Sequence, residues 1–271
     1  MAPFFRNCKT GMGKSNYPKH PNPSLPYLTG RPLKTELLLC LLFLTMTFFT
    51  SKSTLLKVVF FMLFATAAIA GSFLLDDPVT QWVRTANHGH WSHKSVVEIL
   101  SHYGDWPELM LLGGIGFLTA WLLRNVRWQR LILAAMIAST LAGMTVNLSR
   151  LTTGRTRPRA LAEQGWYGLK HGEKWLIGEA DFNSFPSGHT ATAFGFAGVF
   201  LFAAPEWGLL AIALASAVAI SRILLGAHHP SDVITAATVA LGIAWLAWEF
   251  LGRRGRVDAA IRHPYDSGTT G

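Results

Sequence analysis

Along this chain the apolar residues come in long blocks rather than at amphipathic spacing. A helix crossing a bilayer needs about 20 mostly apolar residues. Six blocks approach that length: residues 55–75, 107–123, 131–149, 189–204, 207–225 and 231–251. The pattern predicts an all-α fold, a polytopic membrane helix bundle with six core transmembrane helices within residues 55–251. No internal repeat of solenoid length overlies it.

The segments outside the blocks read differently. Residues 1–36 are rich in Pro, Gly, Asn and Lys without helical period, and are expected to form a disordered basic cytoplasmic tail. The run "LLLCLLFLTMTFF", Leu37–Phe49, is short for a span, so residues 37–54 are expected to be an interfacial segment or an extra helix. Lys52 and Lys57 precede an apolar core ending in "AIA" at Ala70, an imitation of a secretory signal. Signal peptides seldom begin so far into a chain, and the block is read as an uncleaved first span. Between Gly71 and Trp106 the sequence is too polar to span but keeps partial helical spacing, which predicts a segment along the outer interface. Residues 252–271 are expected to form a second cytoplasmic tail.

Composition agrees: half of the 271 residues are hydrophobic and only 14% are charged. The net charge of +9 raises the question of nucleic acid, and its distribution answers it. Residues 1–54 hold seven Lys/Arg against Glu36 alone, the turn "RNVRWQR" holds Arg124, Arg127 and Arg130, and the tail adds four Arg against Asp258 and Asp266. Residues 76–106 instead carry Asp76, Asp77, Glu98 and Asp105 against Arg84 and Lys94. Basic residues thus mark the cytoplasmic side of a bilayer, with no basic stripe for a nucleic-acid partner. The cysteines, Cys8 and Cys40, exclude a disulfide framework and give no basis for redox chemistry. His88, His90 and His93 have no carboxylate or thiol to complete a set and suit no single helix face, so no metal site is predicted.

Three polar motifs stand at the predicted span ends: "SRLTTGRTRP" with Arg150 and Arg157, "FPSGHTATAF" with Ser187, Gly188 and His189, and "ISRILLGAHHPSDV" with Arg222, His228 and Asp232. Threading the spans from a cytoplasmic N-terminus brings all three to the outer face. Three guanidiniums without a metal-binding acid cluster suit a dense oxyanion, because their planar forks grip phosphate oxygens in pairs and keep their charge. Backbone amides around Ser187 and Gly188 lie at a helix start, where free N–H groups favour anions. His228 and Asp232 are four residues apart, on one face if a helix begins there, so the carboxylate can accept from one ring nitrogen and leave the other to attack phosphorus. His189 can protonate the leaving alkoxide and then activate water against the phosphohistidine. His229, at spacing three from Asp232, is an equally plausible nucleophile on geometry alone.

These residues resemble the type 2 phosphatidic acid phosphatase superfamily of membrane lipid phosphatases. Its signature is a basic residue, six residues and Arg-Pro; then Pro-Ser-Gly-His; then Ser-Arg, five residues, His, three residues and Asp. Here it stands as Arg150 with Arg157-Pro158, as Pro186-Ser187-Gly188-His189, and as Ser221-Arg222 with His228 and Asp232. The resemblance implies a six-helix core, a phosphohistidine on His228, His189 as general acid, and no metal or other cofactor. The family's first motif usually begins with Lys; Arg150 keeps the charge with a different reach.

The leading expectation is therefore an outward-facing phosphatase of a bacterial-type inner membrane, acting on a lipid phosphate or pyrophosphate. The family implies undecaprenyl pyrophosphate, phosphatidylglycerol phosphate, phosphatidic acid or the 1-phosphate of lipid A. Two other classes use the same pocket: an anion transporter, against which the charges gather at one face, and a vanadate-dependent haloperoxidase, against which the spans argue. Between the first two motifs, Trp166, Tyr167 and Trp175 suit an interfacial belt, and Lys170 and Lys174 can meet anionic headgroups.

Overall fold

The computed structural model describes residues 52–87 and 94–252. Both tails, the run Leu37–Phe49, the two cysteines and His88, His90 and His93 lie outside the described residues. The chain divides into a unit of Met1–Lys57, described only from Lys52 onward, and a unit of Val58–Gly271 that carries the site below.

Eight α-helices are described: α1 Lys52–Phe73, α2 Asp76–Asn87, α3 Lys94–Tyr103, α4 Trp106–Leu122, α5 Val126–Thr153, α6 Gly188–Ala203, α7 Pro205–Leu224 and α8 Pro230–Ala247. Each predicted apolar block falls on one of them. Among the described residues, four stretches are long and apolar enough to cross a membrane: Leu55–Phe73, Val126–Thr153, Pro205–Leu224 and Pro230–Leu251. Trp106–Leu122 and Gly188–Ala203 are apolar but shorter. Helix α5 extends well beyond the predicted 131–149 and takes in Arg127, Arg130 and Arg150. Asn125 caps it by accepting from the Trp128 amide at 3.3 Å, and its 28 residues run about 42 Å, enough to hold charges at both ends of an apolar middle.

The bundle is built around α6. This helix packs on α4, α5, α7 and α8, and α5 also packs on α8. Its sequence, "GHTATAFGFAGVFLFA", is mostly small residues, and most of them are buried. A Cβ on Gly195 would lie 2.9 Å from the Ala138 carbonyl oxygen of α5, and one on Gly198 would lie 2.7 Å from the Ala244 Cβ of α8. Small side chains thus let three backbones meet closely, the usual solution where lipid tails offer no hydrophobic drive between helices. Across from α6, Ala134, Ala135, Ala138 and Ala142 are wholly buried, while Phe60, Leu63, Leu111 and Leu209 are exposed. The bulky apolar groups therefore clothe the outside.

The polar stretch between the first two apolar blocks forms two amphipathic helices, α2 and α3. One face of α2 turns inward: Asp76, Thr80 and Val83 are buried. The loop between α5 and α6 contains a feature the all-α reading did not include, a two-stranded antiparallel hairpin pairing β1 Lys170–His171 with β2 Lys174–Trp175.

Candidate active site

Helix ends position the polar groups. Arg150 sits in the last turn of α5, Ser187 caps α6 with Gly188 and His189 just inside it, and Arg222 lies in the last turn of α7. Gly226, with φ of 60°, makes the reversal into α8, a conformation that favours glycine. Pro230 then occupies the first turn of α8, where its missing N–H costs nothing.

This turn alters the expected His228–Asp232 geometry. His228 precedes α8, so the pair does not share a helix face; Asp232 is in the first turn and His228 is in the loop. His228 Nδ1 donates to the Ser184 carbonyl at 2.6 Å, and Asp232 Oδ2 stands 3.6 Å from the same nitrogen. Asp232 instead accepts from the His229 amide at 2.7 Å, from Ser184 Oγ at 2.5 Å and from Arg155 Nη1. With Nδ1 carrying the proton, Nε2 of His228 keeps its lone pair. Burial pushes the His228 ring down to about 4 against the upward pull of Asp232, so it is neutral at physiological pH.

His229 is different. Its Nε2 donates to the Thr156 carbonyl at 3.0 Å and its Nδ1 accepts from Thr80 Oγ1 at 2.9 Å. Both ring nitrogens are occupied, and burial lowers its pKa as well. His229 therefore has no free ring nitrogen and links the loop of Thr156 to Thr80 of α2.

Arg150 and Arg222 lie near enough to Arg157 to repel it. Arg157 Nη2 reaches the Asn183 carbonyl at 3.5 Å, Arg222 Nη1 donates to Ser101 Oγ, and Arg150 Nη2 donates to Asn147 Oδ1 at 2.5 Å. A Cβ on Gly188 would come 3.6 Å from Arg150 Nη1, so α6 starts against that guanidinium. Burial, followed by repulsion from Arg159, Arg222 and Arg150, lowers Arg157 to about 10, still fully charged near neutrality. Among the described residues, the buried Nε groups of Arg157 and Arg222 have no hydrogen-bond partner. Two unpaired donors on crowded like charges are what a multiply charged oxyanion relieves.

His189 is partly exposed and lies with Nε2 3.5 Å from Asp105 Oδ2. One expected anion donor is not free: the Ser187 amide donates to the Asp232 carbonyl at 3.2 Å, and its hydroxyl oxygen accepts from Thr190 Oγ1 at 3.0 Å. No group of three or more His, Cys, Asp or Glu with metal-binding arrangement occurs among the described residues.

A family profile described as the PAP2 superfamily matches residues 129–256. The lipid A 1-phosphatase of Rhizobium etli is 31% identical over 193 residues, covering 67% of this chain and 77% of that protein. This chain belongs to the PAP2 superfamily. The undecaprenyl-diphosphatase BcrC of Bacillus subtilis is 28% identical over 169 residues, covering 61% of this chain and 80% of that protein. The crystal structure of Aquifex aeolicus LpxE covers 65% of this chain and 95% of its own, at 22% identity and a TM-score of 0.46.

Within this PAP2 chain, four polar residues of the site escaped the motif reading. Ser184 contacts both His228 and Asp232, Asp105 faces His189, and Arg155 with Asp76 forms a buried ion pair at 2.5 Å. Asp105 had a visible signal, since Asp one residue before "WP" marks a helix cap, and its side chain accepts from the Trp106 amide at 2.8 Å. Asp76 had none, because it lies 79 residues from Arg155 in the chain.

Proposed function

We propose that this PAP2-family membrane lipid phosphatase hydrolyses a phosphomonoester or pyrophosphate of a bilayer lipid at the outer face of a bacterial inner membrane, through a phosphohistidine on His228. The observation that carries it is the meeting of unpartnered arginine donors with a neutral histidine whose Nε2 is available. The guanidiniums of Arg150, Arg157 and Arg222, with the Gly188 end of α6 and the Ser187 hydroxyl, hold the phosphate oxygens and withdraw charge from phosphorus. His228 Nε2 then attacks in line, forming a P–N bond as the P–O bond to the lipid breaks. The Ser184 carbonyl and the Asp232 carboxylate steady its Nδ1 proton and the positive charge that develops. His189, oriented by Asp105, gives its proton to the departing oxygen. The same ring, now neutral, takes a proton from water, which attacks phosphorus and restores His228 with release of inorganic phosphate. Every step uses this chain's side chains and water, and no cofactor is assigned.

The lipid is assigned from the surroundings. An apolar cavity of about 480 Å³ lies among α3, α4, α6 and α7, the last two of which carry His189 and Arg222, and is lined by Leu100, Tyr103, Leu112, Phe196, Leu214 and Val218, dimensions suited to a hydrocarbon chain. With a six-span core within residues 55–251, Arg124, Arg127 and Arg130 at the start of α5 and the site at its other end support an outward site with cytoplasmic tails at 1–36 and 252–271. The relatives' names, lipid A 1-phosphatase and undecaprenyl-diphosphatase, make a lipid A 1-phosphate and a polyprenyl diphosphate the first substrates to test.

Full-length protein purified in detergent is expected to release phosphate from at least one member of a panel of lipid phosphates and diphosphates, with EDTA making no difference. No release from any member, with the protein folded, would reject the reading.

A further inference from the structure

Helix α2 presents Asp76, Thr80 and Arg84, spaced four apart and therefore on one face. All three contact the catalytic loops. Asp76 accepts from the Ser231 amide at 2.9 Å, from Ser231 Oγ at 2.6 Å and from Arg155 Nη2 at 2.5 Å. Thr80 holds His229, and Arg84 donates to the carbonyls of Pro158 at 2.7 Å and Ala160 at 3.2 Å. One helix therefore grips both the turn bearing His228 and the loop bearing Arg157.

Arg155 is the hub of that grip. Its Nη1 donates to Ser231 Oγ at 2.7 Å and to Asp232, and its Nη2 to Asp76. Its guanidinium lies 4.5 Å from the Trp166 ring centre, with Phe73 and Phe185 beyond. Both arms are taken by protein groups, so this arginine is unavailable to phosphate.

We propose that Arg155 and Asp76 are positioning residues for phosphoryl transfer. They fix the Asp232 carboxylate, and through it and Ser184 the tautomer and direction of His228. This rests on the phosphatase reading above. Because the pair never meets the substrate, its loss falls on the chemical step. A displacement of the nucleophile by about 1 Å costs on the order of 10²-fold in rate.

The test compares kcat and KM of purified full-length wild type, Arg155→Lys, Arg155→Met, Asp76→Asn and the Asp76→Asn/Arg155→Met double variant, on whichever lipid phosphate the wild type hydrolyses. Folded protein is quantified by gel filtration and thermal melting. The expected result is a kcat loss of about 10²-fold in Arg155→Met, a smaller loss in Arg155→Lys, KM within about threefold of wild type, and a double variant no worse than Arg155→Met alone. Asp76→Asn, which keeps shape and an acceptor, carries the test if Arg155→Met does not fold. Wild-type kcat in the variants, a loss that only tracks the folded fraction, or a large rise in KM with kcat kept would overturn it. An inactive wild type would instead sink the phosphatase reading itself.

Discussion

Arg155 and Arg157 stand two residues apart on the same loop and lead opposite lives. Arg155 is buried at 6% exposure between two carboxylates, caged by aromatic rings, with its arms spoken for. Among the described residues Arg157 makes no ion pair and its buried Nε finds no hydrogen-bond partner; the repulsion of Arg159, Arg222 and Arg150 acts on it more strongly than the attraction of Asp181. The side chain is the same, so its partners decide its use. A charge already neutralised inside the fold is part of the frame, whereas charges held together against their own repulsion are kept for something that arrives from outside.

The histidines repeat the contrast, and the strongest test begins there. His228→Ala is expected to lower kcat by about 10⁴-fold or more and to abolish a base-stable phosphoenzyme trapped from labelled substrate. Persistent labelling would move the nucleophile elsewhere. Next in size, Arg157→Gln and Arg222→Gln each remove a donor aimed at the transferred group; losses of about 10²–10³-fold in kcat/KM are expected. A KM rise should accompany them, unlike at Arg155, and equal behaviour of Arg155 and Arg157 variants would erase the distinction drawn between them. His229→Gln is a smaller change. With both nitrogens bonded to Thr156 and Thr80, its replacement should destabilise by about 1–3 kcal/mol, read as a lower melting temperature, while folded protein keeps activity within about tenfold of wild type. The mildest effect is on pH. His228 attacks only when neutral and is pushed down to about 4, so its protonation removes kcat/KM as pH falls through about 4 and has no effect from pH 6 upward. An acid limb near 6.5 would show that the ring is not desolvated in this way.

Much of this was legible beforehand, for physical reasons. Apolar blocks must become helices in a bilayer because their backbone groups have no other partners, and the motif residues announce themselves as charges beside those blocks. Spacing alone does not separate His228 from His229, and only the motif resemblance favours His228; the contacts that occupy both His229 nitrogens come from Thr80 and Thr156, remote in sequence and unremarkable in type. Arg155 was equally hidden, one cation in a loop already full of polar residues. Its meaning appears only when Asp76 folds against it. The four-residue spacing of Asp76, Thr80 and Arg84 is present in the sequence, but nothing in it says that this face turns to the site.

The small-residue seam of α5, α6 and α8 separates two kinds of freedom. Because Gly195 and Gly198 set helix spacing from within, the large exposed residues such as Phe60, Leu63 and Leu209 take no part in setting it. The outer coat can therefore be retailored to a thinner, thicker or more rigid bilayer while the reacting groups keep their places. A laboratory wishing to move this protein into a foreign membrane would redesign that coat and leave the seam untouched.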